Sequence, residues 1–181
     1  MKTRPTESID TVVVHRIEVS QEDPSYSDSP RDVARFFLEH PVGKSATGGE
    51  MPYPVLIDSS GTITQTVPFN RITPHAKIAN ATGIGVGCLG DFRERAPAPA
   101  QYEALVHVCA ALVSALGCGA ASVVGHDELT GASSHPDKEC PGRSLAMDAL
   151  RSAVTERLER SDASFDFRWT DQDVERLAKT R

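Results

Sequence analysis

Two histidines and one cysteine stand out by what precedes them. Asp10-Thr11-Val12-Val13-Val14-His15 is a β-branched apolar run that delivers an imidazole at its end. Ser122-Val123-Val124-Gly125-His126 repeats the form, with Gly125 closing the run. Such runs read as buried strands, and two parallel strands ending in histidine place both rings on one edge of a sheet. After a loop rich in Gly, Ser and Thr, Lys138-Glu139-Cys140-Pro141-Gly142 adds a thiol at a turn. Taken singly, each histidine reads as a satisfied strand-end side chain. Together with the thiol they make a ligand set for zinc, a borderline-soft cation, and leave its fourth position open. That is the pattern of a catalytic zinc. A structural zinc takes a fourth protein ligand, for which His135 in the same loop is the candidate.

The elements that must position these groups follow in chain order. Arg16 to Tyr26 is polar and reads as loop. Ser29-Pro30 opens a helix, with Ser29 as the cap and Val33, Phe36 and Phe37 on its inner face; Pro41 and Gly43 end it. Lys44 to Pro52 reads as a glycine-containing loop. Val55 to Asp58 and Thr62 to Thr66 form a hairpin turned at Ser59-Ser60-Gly61. Gly83 to Gly90 carries glycines at alternate positions, which suits a strand closely approached on one face. It fits a dinucleotide fingerprint loosely, but the charged, proline-rich stretch from Asp91 to Pro99 supplies no phosphate-binding helix. Ala100 to Leu116 is a long apolar helix ended by Gly117, and Arg143 to Arg160 is an amphipathic one. A last helix is expected over Thr170 to Lys179, after Phe165, Phe167 and Trp169. The order β–α–β–β–β–α–β–α predicts an α/β fold, a single mixed β-sheet flanked by helices. One domain is expected over residues 1–181, with 161–181 a C-terminal helical tail.

Composition narrows the function. A net charge of −6 argues against nucleic acid and against electrostatic attraction to anionic surfaces. No apolar segment is long enough to insert across a membrane. The N-terminal MKTRPTESID has basic residues but no apolar stretch behind them, so no secretory signal is read there. Four cysteines without a CxxC pair suit a reduced protein that is cytoplasmic as synthesised. A monomer is expected.

The chain resembles the zinc-dependent N-acetylmuramoyl-L-alanine amidases, the family of phage lysozyme-type amidases and peptidoglycan recognition proteins. The matching pieces come in the family's order: TVVVH with His15, YPVLIDSSGTI with Tyr53, HAKIAN with His75 and Asn80, GIGVGCLG, VVGH with His126, and KECPG with Lys138 and Cys140. Each is weak alone; six in order are specific. The resemblance implies the amidase/peptidoglycan recognition protein-like fold, with zinc on His15, His126 and Cys140. It implies that Tyr53 assists the attacking water and that Lys138 faces the developing oxyanion. It places His75 and Asn80 along the groove for glycan and peptide. Some relatives carry a glutamate on the strand where this chain has Gly87, so Tyr53 gains weight here. The implied activity is cleavage of the amide between N-acetylmuramic acid and L-alanine of peptidoglycan. The setting is an endolysin or antibacterial effector acting on the wall after release or export, or a cytosolic amidase recycling muropeptides. The rival reading is a non-catalytic peptidoglycan-binding protein of the same fold.

Overall fold

The computed structural model describes residues 2–18, 29–130 and 139–160. Its centre is a five-stranded sheet built on β1 (Thr11–Ile17). With β2 (Val55–Ile57), β3 (Ile63–Gln65), β4 (Gly83–Leu89) and β5 (Val123–Gly125), the spatial order is β3-β2-β4-β1-β5. All pairs are parallel except the β2–β3 hairpin, so the sheet is mixed. Every residue of β4 is buried, as are Val12 to His15 of β1. A parallel sheet covered on both faces needs such continuous apolar strands, which is why they were legible as runs.

Alternation along the strands divides the two faces. Val12, Val14, Val55, Ile57, Ile84, Val86 and Cys88 join α3 (Pro99–Ala115) and α5 (Met147–Glu159) in one apolar core. Each fully buried Val or Ile in it contributes about 1.5–3 kcal/mol. Gln101 sits in this layer and donates to the carbonyls of Ile57 (3.1 Å) and Leu89 (2.8 Å), so its burial leaves no orphaned amide hydrogens there. The opposite face carries Val13, His15 and Ile17 of β1. It is covered by α1 (Pro30–Glu39), which contributes Val33 and Phe37, and by the segment holding Ala76 and Ala79.

Several expectations change. The first strand runs on through Arg16 and Ile17, so His15 lies within β1 rather than at its end. Ser29 occupies the N-cap position, but its backbone carbonyl, not its hydroxyl, takes the helix N–H groups of Asp32 and Val33. Pro41 does not lead into a loop; it starts α2 (Pro41–Thr47), where the His40 ring accepts from the Val42 N–H at 3.3 Å. Proline at a first helical position loses no bond, so the residue that ends one helix begins the next. A short helix, α4 (His126–Thr130), replaces the expected loop directly after β5. The last described helix starts at Met147, not Arg143, because Ser144 N–H bonds to Phe92 O and Leu145 N–H to Gly142 O in an intervening turn. The expected helix over Thr170 to Lys179 and the tail as a whole lie outside the described residues.

Candidate metal centre

The register of the sheet brings the two histidines together. Val14 pairs with Gly125, and His15 and His126 each come one residue later. Their ring centroids are 4.6 Å apart. His126 opens α4, whose start is tied down by Glu128: its carboxylate accepts from Gly125 N–H at 2.7 Å and pairs with Arg151 at 3.0 Å. This is the returning arm of a capping box. Cys140 arrives from the far side. The Arg16 Nε donates to Glu139 O at 2.7 Å, and the Asp127 N–H donates to Cys140 O at 2.8 Å. The result sets Cys140 Sγ 3.7 Å from His15 Nδ1, with donor atoms of His15, His126 and Cys140 all within 4.8 Å of one another.

The donor chemistry fits a zinc-sized cation. Zinc–nitrogen and zinc–sulfur bonds of about 2.0–2.3 Å put tetrahedral donors roughly 3.5 Å apart, close to the His15–Cys140 separation. Burial holds His15 well below the usual histidine range, with His75 and His126 adding to the effect. His126 is lowered by burial too. Both rings are therefore neutral and offer lone pairs at neutral pH. Burial pushes the Cys140 thiol up to about 11, opposed by a backbone hydrogen bond from Arg16 and by its charge. A cation between the three groups favours the thiolate that burial alone disfavours.

Around this triad the glycines of β4 acquire a purpose. Gly83, Gly85 and Gly87 lie on the site face of the sheet, and neighbours fill the space where side chains would be: Ala79 O at Gly83, the His75 ring at Gly85, and Ile17 with the Tyr53 ring at Gly87. A Cβ on Gly85 would stand 2.9 Å from the His75 Cγ, and one on Gly87 would stand 2.5 Å from the Ile17 Cδ1 and 3.1 Å from the Tyr53 Cγ. Tyr53 is half-buried, its ring centroid 5.0 Å from that of His15. His75 is only 7% exposed, with one ring nitrogen 3.2 Å from His15 Nε2 and the other 3.2 Å from Gly83 O. Asn80 accepts from the Ala76 N–H at 2.7 Å through its side-chain oxygen. These are the contacts of the two residues that the resemblance places along the groove. One packs behind His15 and the other ties the turn that carries it. Lys138 and His135 lie outside the described residues.

Sequence reasoning passed over Arg4, Arg16 and Glu128. Arg4 is buried and donates to the carbonyls of Asn80, Gly83 and Phe69, and nothing in its polar local sequence signals this. Glu128, at the third helical position after Gly125, did carry a capping signal. Of the remaining histidines, His40 serves as the cap of α2, and His107 lies half-buried on α3. All four cysteines are free.

The profile of a family described as N-acetylmuramoyl-L-alanine amidase matches residues 5–143. No curated protein matches by sequence. Among solved structures, the N-acetylmuramoyl-L-alanine amidase LysC from Clostridium intestinale URNW is similar with a TM-score of 0.67 at 19% identity, covering 85% of this chain and 90% of that one. The Ph2119 endolysin from Thermus scotoductus MAT2119 bacteriophage Ph2119 gives 0.63 at 23% identity, covering 84% and 88%. The ectodomain complex of peptidoglycan recognition proteins LCa and LCx, bound to tracheal cytotoxin, gives 0.58 at 22%, covering 76% and 78%. These neighbours share the mixed sheet and its flanking helices.

Proposed function

Since the chain belongs to the N-acetylmuramoyl-L-alanine amidase family, we propose that it is a zinc hydrolase cleaving the amide between N-acetylmuramic acid and the L-alanine of the peptidoglycan stem. The observation that carries the reading is the convergence of His15, His126 and Cys140 donors within 4.8 Å. When bound, zinc supplies Lewis acidity toward an amide carbonyl and toward water. The chain's own residues do the rest. Two neutral imidazoles, His15 and His126, and the Cys140 thiolate would hold the ion. The Tyr53 phenol, on the ring beside that of His15, is assigned to hold or pass a proton next to the scissile amide. Lys138, two residues before Cys140, is assigned to the negative charge that develops on the amide oxygen.

The competing reading is a peptidoglycan-binding protein without activity. The thiol argues against it, because recognition needs no sulfur ligand 3.7 Å from a buried imidazole. The protein is taken to be a monomer, cytoplasmic as synthesised, that meets the wall after release or export; a muropeptide-recycling enzyme is the alternative setting. Mass spectrometry of purified walls and of soluble muropeptides after incubation tests both points. Release of free stem peptides beginning with L-alanine is expected, and none from Cys140→Ser. Retention on walls without any released peptide overturns the enzyme reading, and the faster of the two substrates decides the setting.

A further inference from the structure

The imidazole behind the metal centre is held in a way that dictates which nitrogen His15 presents. We propose that His75 is a positioning residue. By accepting from His15 Nε2, it fixes the His15 tautomer so that Nδ1 keeps its lone pair for the metal. This deepens the reading above and rests on its metal centre.

The assignment follows from hydrogen-bond direction. Gly83 O is a carbonyl oxygen and accepts only. His75 Nε2, 3.2 Å from it, must therefore carry the proton. A neutral imidazole has one N–H, so His75 Nδ1 is a lone pair. That nitrogen stands 3.2 Å from His15 Nε2, which must then be the donor. His15 Nδ1 is left unprotonated, facing Cys140 Sγ at 3.7 Å. Metal-bound histidines commonly donate their second N–H to an outer partner that sets ring orientation and basicity. Here a backbone carbonyl and a second imidazole in series fill that role.

The geometry of the relay is fixed on every side. Gly83 and Gly85 leave the surface of β4 open for the His75 ring, and a Cβ on Gly85 would approach the His75 Nδ1 to 3.1 Å. The two imidazoles meet edge to face, with planes at 85°. Arg4 reaches across from the N-terminus to clamp Gly83 O at 2.7 Å and Asn80 O at 2.8 Å. Asn80 in turn holds the Ala76 N–H, so both ends of the His75–Asn80 turn are tied. His75 is not one of the three converging donors; it acts through His15.

The test reads the tautomer and the metal separately. Long-range proton–nitrogen NMR on the full chain with labelled histidines, metal-free, is expected to show His15 protonated on Nε2 and His75 on Nε2. A His15 protonated on Nδ1 overturns the proposal without any mutation. Zinc affinity is then measured by chelator competition. Folded His75→Leu, which lacks the acceptor, is expected to bind about 10- to 100-fold more weakly and to lose the single His15 tautomer. His75→Asn, whose amide oxygen can take the place of Nδ1, is expected to recover most of the affinity. Wild-type-like affinity in His75→Leu, or a His75→Asn no tighter than His75→Leu, overturns the role. If the Leu variant does not fold, the wild-type tautomer and a His75→Asn affinity near the wild type decide it. Failure of the wild-type protein to bind zinc at all rejects the metal centre itself, and the tautomer spectrum still judges the relay.

Discussion

At the scale of single residues, Cys140 decides the chemistry. Its thiol is pushed up to about 11 by burial, so in the metal-free protein it is protonated at neutral pH. Binding zinc must expel that proton, while the neutral histidines release none above their lowered range. Affinity is therefore expected to fall about tenfold per pH unit as pH drops through the neutral range, with one proton released per ion in calorimetry. Cobalt substitution checks the sulfur directly. A thiolate-to-metal band in the near ultraviolet should persist in His135→Ala and vanish in Cys140→Ser; a cobalt-loaded wild-type protein without the band, whose cobalt binding is lost in His135→Ala, assigns the third ligand to His135. The assigned roles of Tyr53 and Lys138 belong to the transition state. Tyr53→Phe and Lys138→Ala should each lower kcat on the order of a hundredfold while zinc content stays stoichiometric. Near-normal turnover in both returns them to packing and solvation.

At the scale of elements, β4 is the strand whose composition looks weakest and whose role is most constrained. Glycine costs conformational entropy in a strand and offers nothing to pack. Here Gly85 makes room for the His75 ring and Gly87 for Ile17 and the Tyr53 ring, so the stripe turns one sheet face into a seat for neighbouring side chains. Gly85→Ala places a methyl 2.9 Å from the His75 Cγ, against a ring pinned at both nitrogens. Overpacking of this kind is expected to cost about 1–3 kcal/mol in urea unfolding of the metal-free protein. It should also weaken zinc binding, because the displaced ring no longer supports His15. Unchanged stability and affinity in Gly85→Ala means that the turn carrying His75 can retreat, and that the seat is loose.

At the scale of the whole molecule, burying a histidine cluster makes the metal-free fold acid-sensitive. His75 is lowered to about 4, chiefly by burial, and His15 lies well below its usual range for the same reason. In the unfolded chain both titrate near 6.5. Between about 4 and 6.5 the unfolded state therefore binds more protons, and stability rises with pH across that window. The metal-free protein should lose stability steadily as pH falls from 6.5 toward 4, read as a falling denaturation midpoint. The slope should shrink in His75→Asn, which removes one of the groups responsible. A flat midpoint over that range contradicts the neutral cluster. Zinc-loaded protein should lose stability more steeply, since protons then also displace the metal.

The runs Thr11 to Val14 and Ser122 to Val124, the hairpin from Val55 to Thr66 and the apolar helix after Pro99 were legible because each is set by local pattern. Buried parallel strands need continuous β-branched residues, and an enclosed helix needs apolar residues all round. The amino-acid order also singled out His15, His126 and Cys140, whose residue types and flanking runs are local facts. What tertiary structure alone decided is where unlike segments meet. The β1–β5 register is a pairing between residues far apart in sequence, and it sets His15 beside His126. The delay of α5 to Met147 depends on a bond from Ser144 to Phe92, which no property of residues 143–146 announces. His75 carries no local signal of its partners, and only the packed chain lays its ring over Gly85 and against His15. Arg4, polar among polar neighbours, is buried because three carbonyls from distant segments converge on it. A sequence records which groups are available and what each prefers locally; direction, depth and partner are properties of the packed chain.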